Sequence, residues 1–149
     1  MTADLALIAL LVLVNAAFAG TEIAVVSLRR SQLLRLAAEH GRRGQMLLTL
    51  ADEPTRFLST IQVGITLAGF LASAAAAVSL AEPLEPYLEF LGRAAAPVAL
   101  ILVTLALTFV TLVFGELVPK RVAMRQPERW ALRAAPPVTM VARVARPVI

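Results

Sequence analysis

A chain of 149 residues that is 59% hydrophobic and only 16% charged, with a mean hydropathy of +0.80, carries more apolar surface than a soluble domain hides; such domains run at about 45–50% apolar and 25% charged. The length suits one domain, and three apolar runs of the roughly 20 residues a bilayer requires fill about half of it. No cysteine is present, which excludes disulfide frameworks, thiolate zinc sites and thiol chemistry.

The first run, 5–28, opens LALIALLVLV and is interrupted by Asn15, Gly20, Thr21 and Glu22. A signal peptide requires a positive n-region, whereas the only early charge here is Asp4 and the run exceeds an h-region, so a retained helix is expected. In the connector, Ser31 is expected to cap a short helix with Leu33, Leu34, Leu36 and Ala37 on its apolar side. Gly41 and Gly44 break that helix, and Gln45 to about Ala51 makes another turn or two, stopped by Pro54. Thr55 is the expected cap of the helix that becomes the second run, 57–80. The third run covers 94–118, and 127–149, with apolar residues interleaved with Arg, reads as a helix at the membrane interface. Backbone groups in lipid must bond internally, so the runs are helices. The expected fold is an all-α membrane protein, with three transmembrane helices and cytoplasmic juxtamembrane helices about 31–52 and 127–149.

Fourteen Lys and Arg set the orientation. Six lie between the first and second runs and seven follow the third, while the 81–93 loop has only Arg93 beside Glu82, Glu85 and Glu89. The positive-inside rule then puts the N-terminus and that loop outside, and the connector and C-terminal segment in the cytoplasm of a multi-pass cell-membrane protein. Arg121, Arg125, Arg129 and Arg133 recur every four residues and are expected to form one basic face, a stop-transfer cluster touching anionic lipid. Docking to a cytoplasmic acidic surface is the alternative. No nucleic-acid-binding motif accompanies the basic residues, which disfavours nucleic acid as a partner.

Polar groups inside the spans carry the functional reading, because an ionised carboxylate at mid-membrane costs on the order of 3 kcal/mol. Glu22 and Glu116 are the candidates, set against the plainer reading of carboxylates paired with Arg29, Arg30, Lys120 or Arg121. In GELVPK, 115–120, Pro119 lacks an N–H and crowds the carbonyl of Gly115, freeing that oxygen beside Glu116. A freed carbonyl beside a carboxylate at a broken helix suits small hard cations, Mg²⁺, Ca²⁺ or Na⁺. The plainer reading of the proline is a kink or helix end. Ser59, Gln62, Thr66, Gly69 and Ser73 share one helix face, and Thr104, Thr108, Thr111 and Gly115 form a second stripe leading to Glu116. Asn15 and Thr21 are candidates to complete an oxygen-lined centre, although a single intramembrane Ser or Thr usually just bonds the carbonyl four residues back. Gly64, Ala68, Ala72 and Ala76 form a small-residue run suited to close packing, and three helices offer little interior, so a two-fold homodimer is expected. No nucleophile–base pair, metal-hydrolase spacing or phosphate loop occurs, so an enzyme is not expected.

Three stretches, NAAFAGTEIAVVSLRRSQLLRLAAEHGRRG (15–44), RFLSTIQVGITLAGFLAS (56–73) and FGELVPKRVAMRQPE (114–128), resemble the transmembrane domain of the CNNM/CorB (CorC, hemolysin-like) magnesium transporters. The resemblance covers the whole chain. It implies three transmembrane helices, a juxtamembrane belt, a homodimer, and Mg²⁺ transport with Glu116 of the FGE-x-x-PK motif as an ion ligand beside Gly115. It also implies a cytoplasmic CBS pair that binds adenine nucleotide, which these residues do not include. In the magnesium-transporting branch of that family, the second helix offers an asparagine ligand near the position of Gly69 and the first a serine near Ala19 or Thr21. With glycine at 69, its carbonyl, Thr66 or Ser73 would substitute, or the ion would bind through water, or this branch moves something else. The metal candidates are therefore Glu116, Gly115, Thr66, Gly69, Ser73, Thr21, Glu22 and Asn15. The competing function is a non-transporting membrane anchor or ion-sensing domain regulating a cytoplasmic partner.

Overall fold

The first apolar run folds as α1, Thr2–Ser27, which ends where Leu28 turns extended. A computed structural model describes residues 1–148, and every regular element among them is helical. Two short helices follow, α2 (Arg30–Glu39) and α3 (Gly41–Asp52). The cap of α2 is not Ser31 as expected but Arg29, whose N–H donates to the Gln32 side chain at 2.9 Å. Gly41 divides the pair, with φ +57° in the region that favours glycine. Gly44 does not break α3. It lies inside that helix against α2, where an added Cβ would sit 2.1 Å from the Leu36 carbonyl oxygen, so only glycine permits the approach.

The helix α4, Pro54–Leu84, takes Glu53 rather than Thr55 as its cap and Pro54 as its first residue, where a missing N–H removes no bond. At 31 residues it is about 46 Å long, more than a hydrocarbon core requires. A tight 3-10 segment, Glu85–Ala94, turns the chain at Gly92 (φ +59°), and α5, Ala95–Leu112, packs back along α4. Pro119 does not end the third run. The helix widens into a π turn at Val113–Leu117 and continues as α6, Val118–Arg125. It stops at Gln126, and α7, Pro127–Val144, starts in a new direction. The four arginines from Arg121 to Arg133 are therefore divided between α6 and α7, and Arg125, Arg129 and Arg133 still come together along one groove.

Packing divides into two clusters. At one end Leu28, Leu36, Leu47, Phe57, Ile61 and Ala135 are among the residues that bring the ends of α1, α4 and α6 together with α2, α3 and α7 into a belt. Salt bridges Arg30–Asp52 and Arg35–Glu128 clip its outer side. Further along, Ile8 and Val12 of α1 meet Ala72 and Ala76 of α4 and Leu107 of α5. The small residues of α4 serve here as the seat for α1: the Phe18 ring fills the notch at Gly64, where a Cβ would lie 2.6 Å from it.

The rest of the long helices is apolar and uncovered. Thr2–Ser27 and the helical stretch Pro54–Arg125 are long and apolar enough to cross a membrane. Only 28% and 17% of their most apolar windows are buried. A core helix of a soluble protein would be covered, whereas here Leu67, Phe70, Leu105 and Phe109 stand more than half exposed, as apolar side chains do when lipid is their solvent.

Candidate functional site

The GELVPK segment is built around a backbone deficit. In the π turn the Val118 N–H bonds the Val113 carbonyl five residues back, and Pro119 has no N–H to offer Gly115. An unpartnered buried carbonyl is costly. Asn15 supplies the donor: its Nδ2 lies 2.9 Å from the Gly115 oxygen, across 100 residues of chain, and the side chain is only 2% exposed. Gly115 is itself buried, and a Cβ on it would come within 3.1 Å of that same Nδ2. Asn15 therefore docks α1 onto the broken helix, and the carbonyl expected to be free holds an amide, with its second lone pair remaining.

Glu116, the next residue, is half-buried and has no ion-pair partner among the described residues. Glu22 differs. Its Oε2 lies 3.6 Å from Lys120 Nζ, with both side chains partly exposed, so this pair satisfies the plainer reading and joins α1 to α6. Thr21 is also engaged: its Oγ1 donates to the Ala17 carbonyl at 2.6 Å and accepts from Trp130 Nε1 at 3.2 Å. Beside it, the Trp130 ring occupies the space a side chain on Gly20 would need, with Cζ2 2.1 Å from an ideal Cβ. Gly20 and Thr21 are thus a socket for Trp130 that fastens α7 to α1. Sequence reasoning missed this partner; the signal was a single tryptophan in the arginine-rich helix and a small-residue step, Gly20–Thr21, in the first run.

The second-helix candidates point elsewhere. Thr66 and Ser73 are exposed, Gln62 likewise, and a Cβ added at Gly69 would meet no atom within 4 Å. The buried face of α4 is the adjacent one, carrying Thr60, Gly64, Ala68 and Ala72. On α5, exposed Thr104 and Thr108 bond the carbonyls of Leu100 and Thr104. One chain thus gathers Asn15, Gly115 and Glu116 at the π turn and leaves the hydroxyl stripes of α4 and α5 on its outer surface. No group of three or more His, Cys, Asp or Glu side chains forms among the described residues. Any cation held here meets one carboxylate and neutral oxygens.

The family model for CNNM, the Cyclin M transmembrane N-terminal domain, matches residues 6–149. The chain belongs to this family. It is 39% identical over 98% of its length to a UPF0053 protein of Synechocystis sp., of which it covers 33%. It is 28% identical to the UPF0053 protein YhdP of Bacillus subtilis, across 98% of this chain and 34% of that protein. A polyamine export protein of Haemophilus influenzae is also 28% identical, across 97% of this chain and 34% of the relative. The CNNM domain described here spans about a third of the length of these relatives. It is a membrane protein of the CNNM/UPF0053 group, with the π turn and its Asn15 strut at its centre.

Proposed function

We propose that this CNNM domain moves Mg²⁺ across the membrane as half of a homodimer, with Glu116 the charged ligand on the path. Glu116 carries the reading: it is half-buried in a broken helix, without a cationic partner among the described residues, while Glu22 already has Lys120. A carboxylate kept in such a place without a counter-charge has a use for a mobile one. Mg²⁺ dehydrates reluctantly and keeps several waters, so one carboxylate, the second lone pair of the Gly115 carbonyl and water-bridged hydroxyls make a chemically adequate station. The exposed hydroxyls of α4 and α5 face outward from the single chain, where a second copy would supply the other wall.

The topology proposed with it has α1, α4 and α5–α6 as three spans, the N-terminus and the Glu85–Ala94 turn outside, and α2, α3 and α7 in the cytoplasm. Exposed Tyr87 and Phe90 in that turn suit an outer aromatic belt, and Trp130 an inner one.

A second reading has an observation of its own: a relative is named a polyamine export protein. Protonated amines take the same carboxylate and neutral acceptors as a hydrated cation, so this donor set also serves a polyamine. Proteoliposomes loaded with a Mg²⁺ indicator, or with labelled spermidine, separate the readings. Wild type is expected to conduct Mg²⁺, Glu116→Gln to lose at least about tenfold in flux, worth about 1.4 kcal/mol, and Glu22→Gln to keep most of it. Spermidine flux without Mg²⁺ flux selects the polyamine reading. If neither solute moves, the domain is an anchor or sensor; if Glu116→Gln conducts like wild type, Glu116 is not the ligand.

A further inference from the structure

A groove of about 840 Å³ runs between α1, the end of α6 and α7, within the size range of specific small-molecule sites. Its floor is apolar, with Val14 and Phe18 from α1 and Val138 and Val141 from α7, and the Trp130 ring stands in its wall. At its rim are three arginines, Arg125 on α6 and Arg129 and Arg133 one turn apart on α7. All three are exposed, and none pairs with a carboxylate among the described residues, although Arg30, Arg35 and Arg56 all do. Apolar length on one side and concentrated positive charge on the other define an amphiphile with an anionic head.

We propose that this groove binds an anionic phospholipid, its phosphodiester held by Arg125, Arg129 and Arg133 and an acyl chain lying over Phe18 and Val138. Guanidinium forks match phosphate oxygens in bidentate geometry. The floor continues onto Leu10 and Leu13 of α1, which are 56% and 66% exposed, so a chain leaving the groove stays in an apolar setting. A second copy of the chain fits poorly. Of its ten carboxylates, Glu22, Asp52, Glu53 and Glu128 are paired, Asp4 holds the N-terminus, Glu116 is half-buried at the π turn, and Glu82, Glu85 and Glu89 lie at the opposite end, which leaves Glu39 as the one exposed, unpaired carboxylate of the belt among the described residues. A copy would bring mainly more arginine to this rim. The lipid would brace the joint between α6 and α7, which is the cytoplasmic end of the helix bearing Glu116.

Trp130 is the only tryptophan and lines the groove, so it reports occupancy by contact quenching. The purified full chain in phosphatidylcholine nanodiscs is titrated with phosphatidylglycerol brominated on its acyl chains and, separately, with equally brominated phosphatidylcholine. Phosphatidylglycerol is expected to associate at least about fivefold more strongly, as about 1 kcal/mol per basic residue near a lipid surface implies. The double change Arg129→Gln with Arg133→Gln should abolish the preference; both to Lys should retain part of it; Arg42→Gln with Arg146→Gln, on another face, should leave it intact. Equal quenching by the two lipids overturns the proposal while leaving α7 at the membrane. Quenching by neither overturns it as well and removes α7 from the interface, which separates failure of the site from failure of the topology. A preference that survives the glutamine pair, with helicity unchanged, also refutes it.

Discussion

Gly20→Ala tests the socket that joins α7 to α1. Carbon atoms in contact sit about 3.5–4.0 Å apart, and the added methyl would lie 2.1 Å from Trp130 Cζ2, so the ring must retreat by about 1.5 Å. Overpacking of this kind costs about 1–3 kcal/mol. The displaced indole also loses its 3.2 Å bond to Thr21 Oγ1, a further contribution of about 1 kcal/mol. Acting the other way, alanine is better than glycine inside a helix by about 1 kcal/mol. The net expectation is a loss of about 2 kcal/mol from the two costs less the gain. In a Trp130→Ala background both costs vanish and only the helix preference is left, so the same substitution should become neutral or mildly stabilising. Stability of the four proteins of this cycle is read by far-ultraviolet circular dichroism during denaturation in mild detergent, which works without the tryptophan. Equal cost of Gly20→Ala in both backgrounds, to within about 0.5 kcal/mol, would show that Trp130 does not occupy the space beside Gly20.

Removing the strut with Asn15→Ala leaves the buried Gly115 carbonyl without its donor and should lower stability by about 1–3 kcal/mol; melting curves in detergent check this, and an unchanged midpoint would mean that the carbonyl finds another partner. Raising Mg²⁺ into the millimolar range should raise the melting temperature of the wild type and not that of Glu116→Gln, as mass action requires when an ion binds only the folded state. A wild type indifferent to Mg²⁺ would count against Glu116 as its ligand. Cysteines introduced one at a time in place of Glu85 and His40 should react with impermeant thiol reagents from opposite sides of the membrane, Glu85 from outside; labelling of both from one side would end the three-span topology.

Composition and patterning made the class, the helical runs and the family legible in one dimension. Lipid leaves the backbone only internal hydrogen bonding, so long apolar runs had to be helices, and their lengths needed no partner to be read. Pro119 without an N–H and Gly115 four residues before it likewise announced a break in the third run. The sequence could not say what a neighbouring helix would do with that break. Asn15 reaches the Gly115 carbonyl from 100 residues away, and the chain passes through the proline as a π turn because that amide repairs the deficit. For Glu22 the sequence left pairing with Lys120 as one of several options, and for Thr21 it offered no partner beyond its own helix; in three dimensions Lys120 lies beside Glu22 and Trp130 bonds Thr21. Periodicity gave α4 two candidate faces, one of hydroxyls and one of small residues. Packing chose between them, since α1 and the Phe18 ring need the close approach that Gly64 and the alanines allow, and the hydroxyl stripe was therefore turned outward.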